Sequence, residues 1–530
     1  MSESSYVLRR ALISTFDKTG LVALGRFLAA QGVEVIATGN SARRLLDEGI
    51  PVLDVAECAD LPDTLDGRLK TLHAKLYAGI LSDRGNPQHM TMLDEHQIKP
   101  IDLVVVNLPP FAAATVRGAS MATCLENIDI GAAALIRAAA RNHECVAVLT
   151  SPDQYAPFMT EVEEHGGSMR TGYRRGLAAS AFSYTAARDS MIAAWFSQHE
   201  GESFPERISF SSSLRAILSS AQNPQQQAAL YVNDSATETN GLAAALMVEG
   251  ECPGHPSWIA ADAAHSLVMD LQQPAVVLAW HGQVRAVAQG STLLAAWQRL
   301  EGSAVALPGR LMPGAVLAVN RPLSDDLVDV LVQSNHLPNV IVSPDAAAAA
   351  RGALREMTDV VLLLTRRTPP GHEHAALPPA QRLRSISGGT LIETADAQRF
   401  DRERVRYASA KLASESQMSD LILAFMLAKH VPSPALVLVR DGASLAISGG
   451  QANWDQAARL ALMLTPDASH AVAALDMPLD NPAVLQTLIE AGIKAVIHPG
   501  GQSHSDELLT QLADQAGICL LVAHTQHARY

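Results

Sequence analysis

The sequence predicts an α/β protein built on parallel sheets. Short apolar, β-branched runs alternate with helix-spaced segments over residues 6–150, and the alternation resumes beyond residue 275. The first of these runs stop at Asp17-Lys18-Thr19-Gly20, Thr38-Gly39-Asn40-Ser41 and Asn107, residue types suited to the ligand-binding carboxyl ends of parallel strands. The composition, 48% hydrophobic and 18% charged with a mean hydropathy of +0.10, is that of a folded chain rather than a disordered one.

Taken in order, residues 6–14 are an apolar run, 21–31 have helical spacing, and 33–37 form a short β-branched strand. Residues 101–107 read as a buried parallel strand, 132–140 as a helix and 145–150 as a further strand. Segment 198–213, rich in Ser and Glu and poor in pattern, is the predicted linker between a domain over 1–197 and a second region over 214–530. In that second region 275–278, 315–319, 340–342, 360–364, 435–439 and 495–497 read as strands. Residues 346–350 read as helix, and 366–379 as a Pro- and His-bearing loop. A length of 530 residues exceeds one ordinary core, so more than one domain is expected.

Composition also excludes function classes. A net charge of −14 argues against a nucleic-acid or anionic-membrane partner, which requires a basic surface. No apolar run reaches the length of a bilayer span, and the first ten residues lack a signal-peptide core, so a cytoplasmic location is expected. The 5 cysteines lack CxxC spacing and read as reduced, mostly buried thiols. The histidines near the C-terminus have no zinc-ligand pattern, so no metal is expected.

The positive features concentrate near the N-terminus. Lys18, Arg68 and Lys70 supply cations, while Thr19, Gly20, Thr38, Gly39, Asn40, Ser41 and Thr71 supply hydroxyls and turn amides. Together they predict a cradle for a phosphorylated small molecule, with Asn107 at the end of an adjacent strand.

The motif order resembles a known family. Asp17-Lys18-Thr19-Gly20-Leu21, Leu65-Asp66-Gly67-Arg68-Leu69-Lys70-Thr71-Leu72-His73, Glu126-Asn127-Ile128-Asp129-Ile130-Gly131 and Arg137-Ala138-Ala139-Ala140 match aminoimidazole carboxamide ribonucleotide (AICAR) transformylase/IMP cyclohydrolase. So do Asn320-Arg321-Pro322, Ile386-Ser387-Gly388-Gly389-Thr390-Leu391, Lys429-His430-Val431 and Pro499-Gly500-Gly501. The resemblance implies a methylglyoxal-synthase-like N-terminal domain with a parallel sheet. It also implies a C-terminal transformylase region of two cytidine-deaminase-like halves, working as a homodimer. The implied chemistry moves a formyl group from the cosubstrate 10-formyltetrahydrofolate to the amine of an imidazole nucleotide, after which ring closure gives inosine monophosphate.

Carried over by position, the cradle is partly intact: Phe16 replaces a family serine and Asn40 a family glycine. The ring-closing positions fall on Lys70, Pro109, Asp129 and Arg141, where the family has Lys, Tyr, Asp and Lys. Proline has no proton to give and arginine holds its proton too tightly to shuttle it, so cyclohydrolase activity is expected to be lost or weak. In the second region the family's Lys-His pair reads Trp280-His281, leaving His281 as the catalytic candidate. Phosphate-binding and folate-wall positions read Pro434, Trp454 and Asp476-Met477-Pro478-Leu479.

Each of these residues also has a plain structural role open to it. Asp129 is placed to cap the following helix; His281 could be a core histidine beside Trp280; and Trp280 and Trp454 either fill abandoned phosphate pockets or floor a less charged substrate site. Three functions stay open: a diverged formyltransferase acting on another small-molecule amine, the ordinary purine enzyme, and a non-catalytic nucleotide-binding paralogue.

Overall fold

The computed structural model describes residues 6–59, 69, 71–116, 119–234, 241–303, 311, 313–334, 336–357, 359–366, 381–501 and 503–530. Arg68 and Lys70, with most of the motif around them, lie outside the described residues, as does all but Arg366 of the 366–379 segment. The chain forms two compact units, Met1–Ser213 with Asn233–Thr237, and Leu214–Val232 with Glu238–Tyr530. The expected end of the first domain at residue 197 falls inside a helix, Thr171–His199.

The N-terminal unit is a five-stranded parallel sheet in the order β3-β2-β1-β4-β5. Its strands are β1 (Arg10–Thr15), β2 (Glu34–Ala37), β3 (Leu53–Asp54), β4 (Leu103–Asn107) and β5 (Ala147–Leu149). All five residues of β4 are buried, as expected for a parallel strand covered on both faces. The chain winds one way from β1 to β3 and the other way from β4 to β5, so the crevice between the carboxyl ends of β1 and β4 is a topological switch point. Register pairs Thr15 with Asn107 at that point.

The C-terminal unit is organised around one twelve-stranded sheet whose order is palindromic. From one edge run Leu246–Glu249, Val361–Leu364, Val340–Ser343, Val316–Val319, Ala275–Trp280 and Gln283–Gln289. From the other edge run Arg406–Tyr407, Cys519–Val522, Ala495–His498, Val472–Leu475, Leu436–Arg440 and Ala443–Ser448. The halves meet at the antiparallel pair Ala288↔Ala443. The duplication extends to detail. Both central hairpins turn on a non-glycine residue and a glycine with positive φ, His281 (52°) with Gly282 (74°), and Asp441 (54°) with Gly442 (78°). That is the backbone a two-residue type I′ hairpin requires. Likewise the Ala275 N–H donates to Asn320 Oδ1 at 2.9 Å, and the Ala435 N–H to Asp476 Oδ1 at 3.0 Å.

One helix from each half, His255–Asp270 and Glu415–Ala428, contributes to the same apolar cluster. Just past their ends, Asp270 Oδ2 accepts from His430 Nε2 at 2.8 Å and lies 3.0 Å from Lys429 Nζ. Burial pushes the His430 imidazole below its ordinary pKa more strongly than Asp270 raises it, so the ring is neutral and donates Nε2–H. Burial alone would raise the Asp270 carboxyl, but the His430 hydrogen bond and the Lys429 charge hold it low. An unfolded chain binds a proton at His430 near pH 6.5 that the folded chain does not, so stability is complete above that pH and declines as pH falls through it. The urea midpoint of this unit is expected to fall from pH 7.5 to 5. In His430→Gln the slope should be shallower by up to about 1.4 kcal/mol per pH unit; equal slopes in the two proteins would refute the assignment.

Candidate functional site

The loop after β1 is assembled by residues that the sequence reading placed in direct contact with a ligand. Asn107 Oδ1 accepts the N–H groups of Phe16 and Asp17 at 2.7 and 2.8 Å, and its Nδ2 donates to the Asp17 carbonyl at 3.0 Å. Ser41 Oγ donates to the Thr15 carbonyl at 3.1 Å and accepts the Thr15 N–H at 3.0 Å. Ser14 and Thr38 share a hydroxyl hydrogen bond of 2.9 Å. Asn107, Ser41 and Thr38 are thus committed to positioning the loops, because their polar atoms already face backbone or one another.

What the loops present is a set of donors. Gly39 and Asn40 open the helix Gly39–Leu46, and as its first two residues their N–H groups have no intrahelical acceptor. Gly20, in a left-handed conformation (φ 71°), opens the helix Leu21–Ala30. Any Cβ at Gly20 would meet the Tyr155 ring at 3.2 Å in addition to the strained φ. Thr19 is exposed, and its N–H closes a turn on Asp17 Oδ1 at 2.9 Å, the hydrogen bond that holds the Asp17 carboxyl below its ordinary range. Lys18 is half-buried with Nζ 3.1 Å from the neutral Phe16 carbonyl, and its charge also helps hold the Asp17 carboxyl low. Two helix N-termini and a lysine thus lie at the carboxyl ends of β1 and β2, beside the switch-point crevice.

Asp129 and Thr71 both lie at the start of one helix. Asp129 is the N-cap of the helix Ile130–Arg141, with Oδ1 accepting the Ala132 N–H at 2.8 Å. The capping role is therefore real, and the helix starts two residues earlier than the spacing implied. Thr71 lies over Gly131, where a Cβ would come within 2.3 Å of Thr71 Oγ1. Gly131→Ala is expected to cost about 1–3 kcal/mol and to weaken nucleotide binding by displacing segment 71–73; thermal unfolding and calorimetry check both. The Tyr77 hydroxyl, buried and without a hydrogen-bond partner among the described residues, has its pKa pushed up to about 12 by burial and then by the Asp129 charge. Arg141 ends the helix that Asp129 begins, about 18 Å away at 1.5 Å per residue, so the two do not act on one atom directly. Pro109 lies just beyond β4, its carbonyl accepting the Phe111 N–H at 2.9 Å.

In the C-terminal unit His281 is exposed at the hairpin turn, not in the core. Trp280 is half-buried, with the Arg285 guanidinium 5.5 Å from its ring centroid. Because Gln283–Gln289 runs antiparallel to Ala443–Ser448, the His281 turn lies at the same end of the sheet as Gly449-Gly450 and the carboxyl ends of Val472–Leu475 and Ala495–His498. At that edge lies Asp476, which the resemblance had aligned with an aromatic residue. Its Oδ1 accepts from the Ala435 N–H and from Trp454 Nε1 at 3.2 Å, and its Oδ2 from the Ser433 hydroxyl. Trp454 is therefore tied to a buried carboxylate. Beside it His498 Nδ1 accepts the N–H groups of Leu479 and Gly500 at 3.2 and 3.3 Å, which puts the ring proton on Nε2. Among the described residues Glu161, Glu164 and His165 lie within metal-ligand reach of one another, but Glu161 is already paired with Arg170 at 2.6 Å. No helix among them is long and apolar enough to cross a membrane.

Comparison with known proteins agrees with this architecture. Residues 20–134 match the MGS-like domain model and residues 139–464 the AICARFT/IMPCHase bienzyme model. The bifunctional purine biosynthesis protein PurH of Rhodospirillum rubrum is 37% identical, with 99% of each chain covered. That of Dinoroseobacter shibae is 35% identical, again over 99% of both, and that of Brucella ovis 34%, over 99% of this chain and 97% of the relative. A solved structure described as the crystal structure of ForH is 31% identical, covering 36% of this chain and 99% of that one, with a TM-score of 0.32. Over its whole length, then, the chain belongs to the AICARFT/IMPCHase bienzyme family of purine biosynthesis.

Proposed function

We propose that this family member binds a phosphorylated ligand in the N-terminal cradle and has become a diverged formyltransferase. In this reading the formyl group of 10-formyltetrahydrofolate passes to the amine of a small acceptor other than the ordinary ribotide, and ring closure is lost or weak. The observation that carries the departure is Trp454. It occupies a family arginine position and donates its indole N–H to buried Asp476, so the space that would hold a phosphate group there is filled and its charge complement reversed. An acceptor at that edge carries less negative charge than a ribotide phosphate.

The chemistry asked of the edge is modest. The acceptor amine attacks the formyl carbon, its nitrogen loses a proton, and the folate nitrogen takes one as its carbon–nitrogen bond breaks. His281, exposed and left without its lysine neighbour, is the group proposed to carry that proton. Half-buried Trp280 beside Arg285 offers a flat face next to a cation, which suits a ring-and-carboxylate cosubstrate such as a folate. For the N-terminal unit Pro109 removes the proton donor from the crevice, while Lys18, Gly20, Gly39 and Asn40 hold the anion and Lys70, Arg68 and Thr71 complete the cradle. A cytoplasmic homodimer, with no metal, is part of the proposal.

A second reading has its own observation. Asp441 occupies the same turn position in the other half, so His281 has the geometry of a hairpin residue with no necessary chemistry. On that reading the chain is a non-catalytic nucleotide binder. Purified full-length protein with 10-formyltetrahydrofolate and a panel of amines, AICAR included, distinguishes them through tetrahydrofolate release and product mass. Transfer to an amine other than AICAR, abolished in His281→Ala, supports the formyltransferase; nucleotide binding without any transfer supports the second reading; efficient transfer to AICAR contradicts both.

A further inference from the structure

The N-terminal unit holds a second concavity that the cradle does not use. It is a cavity of about 220 Å³ lined by residues of the helices Ile130–Arg141 and Thr171–His199, with Leu108 and Asp129 also in its wall. Its walls are mainly apolar, with Ile128, Ile130 and Ile192 among them, and its volume is below the range typical of drug-sized ligands. Arg188 lines it. The Arg188 Nη2 is buried with no hydrogen-bond partner, and no carboxylate lies within ion-pair distance of the guanidinium among the described residues. Burial lowers its pKa from the ordinary arginine value, which expresses the cost of holding the charge there. Asp189 also lines the cavity without an ion pair to Arg188 among the described residues, and Asp129 is already engaged as a helix cap. Arg137, exposed, also lines it with its guanidinium 5.7 Å from the Phe182 ring centroid, a second cation with no carboxylate partner among the described residues.

Arg188 is half-buried in an open concavity, but its Nη2 is buried without an acceptor, and an anion seated there would complete it. We infer that this cavity is a binding site for a small one-ring carboxylate, held by Arg188 with Arg137 at the mouth and its ring against the isoleucines. A carboxylate fits the planar guanidinium fork bidentately. The charges of Asp129 and Asp189 disfavour a doubly charged phosphate and suit a ligand that also bears an N–H donor. The site stands apart from the formyl-transfer reading, since neither arginine belongs to the anion cradle or to the edge around His281.

Calorimetry on the full-length protein tests it, with 2-aminobenzoate as the probe and benzamide as its uncharged counterpart. The parent is expected to bind 2-aminobenzoate at least about tenfold more tightly than benzamide, and Arg188→Gln to lose at least about tenfold of that affinity. Affinity for AICAR, which the cradle carries, should be the same in both proteins. Because Arg188 is unpaired in the free protein, Arg188→Gln should unfold at the same temperature as the parent or higher. Equal binding of 2-aminobenzoate by the two proteins, no binding by the parent, or a markedly destabilised variant would each overturn the inference.

Discussion

Asp476→Ala is expected to destabilise the C-terminal unit by about 3–5 kcal/mol, the largest effect of any single substitution at the candidate sites. The carboxylate is 1% exposed and accepts from Ser433, Ala435 and Trp454, so its removal leaves the buried Ala435 N–H and two half-buried side-chain donors without that acceptor. The duplicated fold supplies a control. Asn320 closes the same Ala275 contact in the other half with an amide oxygen, so Asp476→Asn should retain the Ala435 and Trp454 bonds and recover at least half of the loss. The urea midpoint of the unit reads this directly. If alanine and asparagine were equally harmless, Trp454 would not be anchored, and the argument that its pocket has closed to phosphate would fail.

Asn107→Leu is expected to weaken AICAR binding by about 30- to 150-fold, from the loss of bonds contributing about 1 kcal/mol each. The side chain touches no ligand in this account. It joins the end of β4 to the Phe16-Asp17 backbone, and without it the Lys18-Thr19-Gly20 turn has no fixed position at the switch point. Lys18→Ala separates charge from order: it should lower affinity about tenfold and leave the unfolding midpoint in place, because Lys18 Nζ meets only carbonyl oxygens. Unchanged calorimetric affinity in both variants would move the nucleotide site away from the cradle.

The strands were legible because their residues are buried on both faces: 33–37 and 101–107 read as β-branched runs and appear as Glu34–Ala37 and Leu103–Asn107. The start of the helix at Ile130 was missed by two residues because helical spacing shows only the buried face, while its true signal was Asp129 as a cap. That Asp17-Lys18-Thr19-Gly20, Thr38-Gly39 and Asn107 lie at the carboxyl ends of parallel strands was legible from where apolar runs end, but the hydrogen bonds that position these loops were not. Whether Asn107 or Ser41 faces a ligand or a neighbouring backbone depends on contacts across 90 and 26 positions of sequence.

The C-terminal edge was harder to read. Trp454 could not be assigned from sequence because its partner is a carboxylate 22 residues away, aligned by resemblance with an aromatic position. His281 was weighed as a core histidine because Trp280 precedes it; the tight turn that exposes it is signalled by Gly282, and its twin at Asp441-Gly442 becomes evident only with the two halves side by side. Arg188 gave no signal at all, since its pocket is made by helices that begin 41 residues apart, at Ile130 and Thr171.

The most direct test of the central claim presents the full-length protein with preformed formyl-AICAR. Calorimetry follows binding and mass spectrometry follows inosine monophosphate. A retained cradle with proline at position 109 predicts binding that Lys18→Ala weakens, and product no faster than in the absence of protein. Repeated turnover to inosine monophosphate would contradict the account and return the chain to the ordinary activity of its family.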